Sequence, residues 1–132
     1  MNPALVVESL ELLAERDIDP TRAVYARLFS ENPEMEALFI RDHAYSIRGQ
    51  MVQMVLENLL DYATNRTFGL HMIRAERVNH VNLGVPQEVF GTFFGVVQTT
   101  VGELLGADWR PEMDRAWTEL IDSLQVEIVA SC

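Results

Sequence analysis

Cysteine is nearly absent from this sequence: Cys132 is the single one, and it is also the last residue. That excludes an intrachain disulfide framework and a cysteine-based zinc site within one chain. Basic residues are scarce too, 10 Lys and Arg against 20 Asp and Glu, which leaves a net charge of −10. A surface of that sign repels phosphate backbones and anionic headgroups, so neither nucleic acid nor a membrane surface is an expected partner. The stretch MNPALVVESLELLAERDIDP has no basic start, carries acids among its apolar residues and is too short and charged to span a bilayer, so a cytoplasmic protein is expected. The glycines form no phosphate-binding loop, and the three histidines, His43, His71 and His80, supply neither His-Glu-x-x-His nor the Glu-x-x-His pair of two-iron bundles. A Ser-His-Asp or Cys-His catalyst could be drawn only by ignoring spacing, and Cys132 at a chain end is an unpromising nucleophile. Hydrolytic chemistry has no visible home.

What is present is dense helix punctuation without strand alternation. The length of 132 residues suits one domain spanning residues 1–132, large enough to bury a core. Asn2 as N-cap with Pro3 in the first turn starts a helix to about Arg16, with Val6, Leu10 and Leu13 on one face. Asp19-Pro20 starts a second, carrying Val24, Tyr25, Leu28 and Phe29, and Asn32-Pro33 interrupts it and begins a short turn ending at Leu38-Phe39. A polar corner, IRDHAYS, leads into a long helix from about Ser46 to Thr64, where Ile47, Met51, Met54, Val55, Leu59 and Tyr62 are expected to form one stripe. After TNRTFG comes a shorter helix ending near His80, stopped by Gly84 and Pro86. Two long helices, roughly 87–104 and 110–130, finish the chain, their apolar faces led by Phe90, Phe93, Phe94 and Val97 and by Met113, Trp117, Leu120 and Leu124. About seven helices of unequal length suit a globin-like all-α packing around a pocket better than an even four-helix bundle.

The remaining chemistry is one histidine at a helix end, followed by NLGVPQEVF, facing a helix whose lining is apolar. A lone histidine in a helical protein is more often a surface or satisfied core residue than a ligand. The same arrangement is also how a protein holds haem, with an imidazole on one face of the iron and an apolar wall with one hydrogen-bond donor on the other. The stretches VYARLFSENPEMEALF, LLDYATN, HVNLGV and RAWTELI, in this order and at compatible spacing, resemble bacterial single-domain globins and the globin half of flavohaemoglobins across nearly the whole chain.

That resemblance implies haem b as cofactor, with His80 as the proximal iron ligand and Phe39 as the ring that wedges the haem at the corner. Met51 falls at the distal position, 29 residues before His80, with Val55 one turn further on; Gln50 or Gln53 would replace it in a shifted alignment. Tyr25 matches the distal tyrosine, a donor toward a bound diatomic ligand. Val85 and Phe90 complete the implied cofactor contacts, and His43, Arg41, Arg74 or Arg77 would pair with the propionates. Each has a blander reading: Tyr25 as a core aromatic, and Phe39, Met51 and Val55 as the apolar residues any packed helix carries. The implied ligands are O2, NO or CO, for storage, delivery, sensing or NO handling. An external reductase would be needed for NO dioxygenation, because no flavin or NAD domain follows. A homodimer through the last two helices is expected only by analogy with the fold.

Two residues depart from the family pattern. Glu76 lies one turn before His80, where an aliphatic residue is usual, and a carboxylate under a buried porphyrin is costly. A haem-free interaction module, its pocket filled by Met51 and Met54, is the alternative that Glu76 favours. Phe90 stands where flavohaemoglobins place a tyrosine beside the proximal histidine, and the matching glutamate position falls near Cys132, so the imidazole is expected to be a more neutral donor.

Overall fold

A computed structural model of the chain describes residues 2–130, with side chains through Ile128, so Cys132 lies outside the described residues. Its helices begin where local chemistry starts them. Asn2 Oδ1 accepts from the Ala4 N–H at 3.2 Å, and Pro3 occupies the first turn of α1 (Pro3–Glu15), so orphan donors at the helix start are satisfied from within the sequence. Asp19 Oδ1 likewise takes the Thr21 N–H at 3.0 Å and the Thr21 hydroxyl at 2.6 Å, opening α2 (Thr21–Glu31). Pro33 ends the α-helical path, and Pro33–Phe39 continues as a 3-10 helix. There follow α3 (Ser46–Ala63), α4 (Gly69–Asn82), α5 (Gln87–Leu105), a 3-10 turn at Gly106–Asp108 and α6 (Pro111–Ala130). Among the described residues there is no strand, and the chain is all-α.

The core is built on α5 and α6. Met113, Trp117, Leu120 and Leu124 of α6 are wholly buried, as are Val97 and Val101 of α5 and Val6 of α1. A polar requirement of this core is met internally: the Trp117 indole N–H donates to Ser9 Oγ at 2.9 Å, and the Ser9 hydroxyl donates to the Val6 carbonyl at 2.6 Å, tying α6 to α1. The segment Gln87–Asp108 is long and apolar enough to cross a membrane by length and composition. In this fold α5 packs against α1, α2, α4 and α6.

The position of α4 is set by one carboxylate and one glycine. Asp61, near the end of α3, accepts from the backbone N–H of Thr67 (3.0 Å), Phe68 (2.9 Å) and Gly69 (2.6 Å) and from the Thr67 hydroxyl (2.7 Å), so it caps α4 from the preceding helix. Burial pushes the Asp61 carboxyl up, but these donors outweigh it and hold the group at about 2, below the ordinary 3.8. Gly69 sits against α3 so closely that a Cβ there would overlap the Asn58 backbone carbonyl.

The expected single stripe on α3 is divided in the structure. Leu59 and Tyr62 are buried in the core, Met51 and Val55 are half-buried, and Ile47 and Met54 are exposed. The burial falls instead on Arg48, Val52, Asn58 and Asp61 as well, because α3 meets different neighbours along its length: the corner at its start, the core behind it and α4 at its end.

Candidate cofactor site

Between α2, the 3-10 helix, α3, α4 and the start of α5 lies a cavity with about 810 Å³ of space free of protein atoms, counted out to its mouth. Its walls are overwhelmingly apolar, and all seven residues implied by the resemblance line it: Tyr25, Phe39, Met51, Val55, His80, Val85 and Phe90. They come from four α-helices, the 3-10 helix and a loop, so only the fold brings them together. Met51 and Met54 line the space without filling it.

His80 closes the last full turn of α4. Its Nδ1 lies 2.7 Å from the Glu76 backbone carbonyl. A carbonyl can only accept, so Nδ1 carries the proton and Nε2 presents its lone pair. The ring packs at 5.3 Å from Phe90, which in turn meets Phe94 edge-on at 5.8 Å. Glu76 also lines the cavity, its side chain about one third exposed (34%), and its Oε2 stands 3.5 Å from His80 Nδ1. The acid that looked misplaced in the sequence therefore keeps access to water while lying beside the imidazole.

Tyr25 occupies another wall, 2% exposed, and its hydroxyl donates to Met51 Sδ at 3.3 Å. Burial pushes the phenol above its usual pKa, Arg48 opposes this and Asp42 adds to it, so the group stays a neutral donor. Tyr25 packs against Phe29, Phe39 and Phe93 with ring centroids 5.2–5.7 Å apart, and Phe39 meets it edge-on at 5.2 Å. Sequence reasoning had no reason to connect these rings with the corner that holds them. Asp42 caps α3 by accepting from the Ile47 and Arg48 N–H groups at 3.1 and 3.0 Å and pairs with Arg48 Nε at 3.1 Å. Arg48 also donates to the Asp42 carbonyl, and its guanidinium lies over Tyr45 (3.4 Å) and Phe39 (5.5 Å). Burial raises the Asp42 carboxyl, but the backbone donors and Arg48 bring it down to about 2. This buried pair braces Phe39 at the cavity wall.

A sequence profile described as globin matches residues 22–128, from α2 to the last described side chain of α6. The chain belongs to the globin family. It is also 27% identical over 119 residues to a flavohemoprotein of Chromobacterium violaceum, an alignment covering 88% of this chain and 29% of that protein. The chain thus spans under a third of the length of the curated relative it matches.

Within this globin, several cavity residues escaped the sequence reading. Asn58 is one turn beyond Val55 and 6% exposed, yet it lines the cavity. Its spacing of three from Val55 was visible, but its polarity masked it on a helix read for apolar periodicity. Ile73 of α4, together with Leu28, Met35 and Phe93, belongs to the same walls. Of the four cations considered for propionates, Arg74 is engaged by α6, donating to the Glu127 carbonyl at 2.9 Å and lying 3.4 Å from its carboxylate. His43 and Arg41 are exposed at the corner before α3 and do not line the cavity.

Proposed function

We propose that this globin binds haem b in the cavity, that His80 would hold its iron, and that it reversibly binds a diatomic gas, O2, NO or CO. The observation that carries the reading is the state of His80: its Nδ1 proton is held by a backbone carbonyl, leaving the Nε2 lone pair on a residue that lines an apolar cavity. A neutral imidazole with a fixed tautomer is the donor that a haem iron takes. The apolar walls fit the group, and His80 is the imidazole among them. The relative's name, flavohemoprotein, supports the same cofactor.

Haem supplies the redox-active iron that takes up the gas, and the protein's own residues do the rest. His80 would hold the metal. The aromatic group of Tyr25, Phe39 and Phe93 excludes water. Tyr25, neutral and buried, offers one O–H, which Met51 accepts in the structure and which a polar ligand in the cavity would compete for. A phenol donor stabilises O2 and NO, which develop negative charge, more than CO. Storage, delivery and sensing all use this reversible binding. NO dioxygenation is the enzymatic form of this binding and requires a reductase as electron donor.

The test is an absorption spectrum of the protein expressed with haem available, in its ferric, ferrous and CO-treated states. An intense Soret band that is lost or shifted in His80→Ala, with the helical circular dichroism retained, is the expected result. A colourless wild-type protein that takes up no added haem would overturn the reading, as would a His80→Ala spectrum identical to wild type.

A further inference from the structure

Phe90 in place of a tyrosine, with the matching glutamate position near Cys132, led to the expectation of a more neutral proximal imidazole. The structure places a different carboxylate, Glu76, beside that ring. Residues four apart on a helix share a face, and here the spacing of Glu76 and His80 brings a backbone acceptor and a nearby carboxylate to one nitrogen. The Glu76 carbonyl is 2.7 Å from His80 Nδ1, and the Glu76 carboxylate is 3.5 Å from the same atom. Phe90, 5.3 Å away between ring centroids, brings no polar atom that would compete. With a third of its side chain in water, Glu76 avoids the desolvation cost that would follow if it lay fully inside the apolar cavity.

We infer that Glu76 is a positioning residue that increases the electron donation of His80, by placing a negative charge beside the Nδ1–H group and fixing the plane of the ring. This rests on the haem-binding reading above. A negative charge beside the N–H of a metal-bound imidazole stabilises the positive end of that bond, which makes the opposite nitrogen more basic, while the carbonyl that takes the proton orients the ring. The stronger donor favours the ferric over the ferrous iron. It takes the place of polar partners from other helices and does so within α4, through a residue one turn from the ligand.

The experiment compares wild type with Glu76→Gln, Glu76→Ala and Glu76→Asp, each loaded with haem. Glu76→Gln keeps an acceptor oxygen and removes only the charge. Partners of this kind change metal affinity by roughly 10–100-fold. We therefore expect the ferric preference of Glu76→Gln to fall by about tenfold, equal to a rise of 59 mV in a one-electron midpoint potential. The iron–histidine stretching band of the ferrous protein should move to lower frequency. Glu76→Ala should shift both readouts the same way, and Glu76→Asp should restore them in part. An unchanged potential and stretching band in Glu76→Gln, with an intact Soret band, overturns the inference and leaves haem binding standing. Loss of haem from Glu76→Gln and Glu76→Ala with helicity retained also overturns it, since the carboxylate would then be building the pocket rather than tuning the ligand. A wild-type protein without a Soret band defeats the functional reading itself.

Discussion

Replacing Gly69 by alanine should injure this protein more than replacing any glycine that sits in open helix surface. The added Cβ would overlap the Asn58 backbone carbonyl and approach Asp61 Oδ2 to 3.1 Å. The first obstacle is main chain and cannot rotate away, so α4 must move off α3 as a unit. Overpacking of this sort costs typically 1–3 kcal/mol, and a backbone obstacle places the change at about 3. Removing a glycine from a helix returns at most about 1 kcal/mol, and less at a first-turn position. The net loss of about 2 kcal/mol should lower Tm by roughly 7 °C in a chain of this size. Gly95, mid-helix in α5 with nothing within 4 Å of its added Cβ, is the control; Gly95→Ala should raise stability by up to ~1 kcal/mol. Urea and thermal melts of both variants give the comparison. Because α4 also carries His80, Gly69→Ala should release haem faster as well. Equal stability of Gly69→Ala and wild type would refute the argument that contact between α3 and α4 is fixed by backbone approach.

Other expectations follow from the same packing. Ser9→Ala leaves the fully buried Trp117 indole N–H without its acceptor, at ~1–3 kcal/mol, and a calorimetric melt indistinguishable from wild type would discount that bond. Asp42 and Asp61 both have carboxyls held near 2 against an ordinary 3.8. Their contribution is therefore complete above about pH 4 and is lost as pH falls from about 4 toward 2, since the unfolded chain takes up those protons first. Wild type should lose urea resistance across that window, while an Asp42→Asn, Asp61→Asn double variant should start lower and fall less steeply; parallel curves would contradict the assignment. Tyr25→Phe removes a hydrogen bond of ~1–1.5 kcal/mol, so O2 release should accelerate by roughly tenfold and CO release by much less. Flash photolysis showing the same change for both gases would remove the phenol from the donor role.

Much of the architecture was legible because its causes are local. Asn2-Pro3, Asp19-Pro20 and Asn32-Pro33 open or break helices through their own side chains and rings, and the structure places the boundaries within about two residues of those signals. The α6 face of Met113, Trp117, Leu120 and Leu124 follows helical periodicity and is buried throughout. The α3 stripe failed because periodicity reports one preferred face, whereas α3 passes from a corner to a core to a neighbouring helix and each sets its own burial. Arg48 and Asp61 are polar, so no hydrophobic pattern could mark them as interior residues; only their partners explain them.

The sequence by itself determined the helical class, the order and ends of the helices, and the identity of the histidine worth considering, since each depends on residues near one another along the chain. Tertiary structure decided which side chains share the cavity, that Asp42 and Arg48 brace Phe39, and that Glu76 turns its carboxylate to His80 while keeping contact with water. The physical reason is that burial, tautomer and charge effects depend on distance in space. Residues as far apart as Tyr25 and Phe90 acquire a common environment only when α2 and α5 pack together.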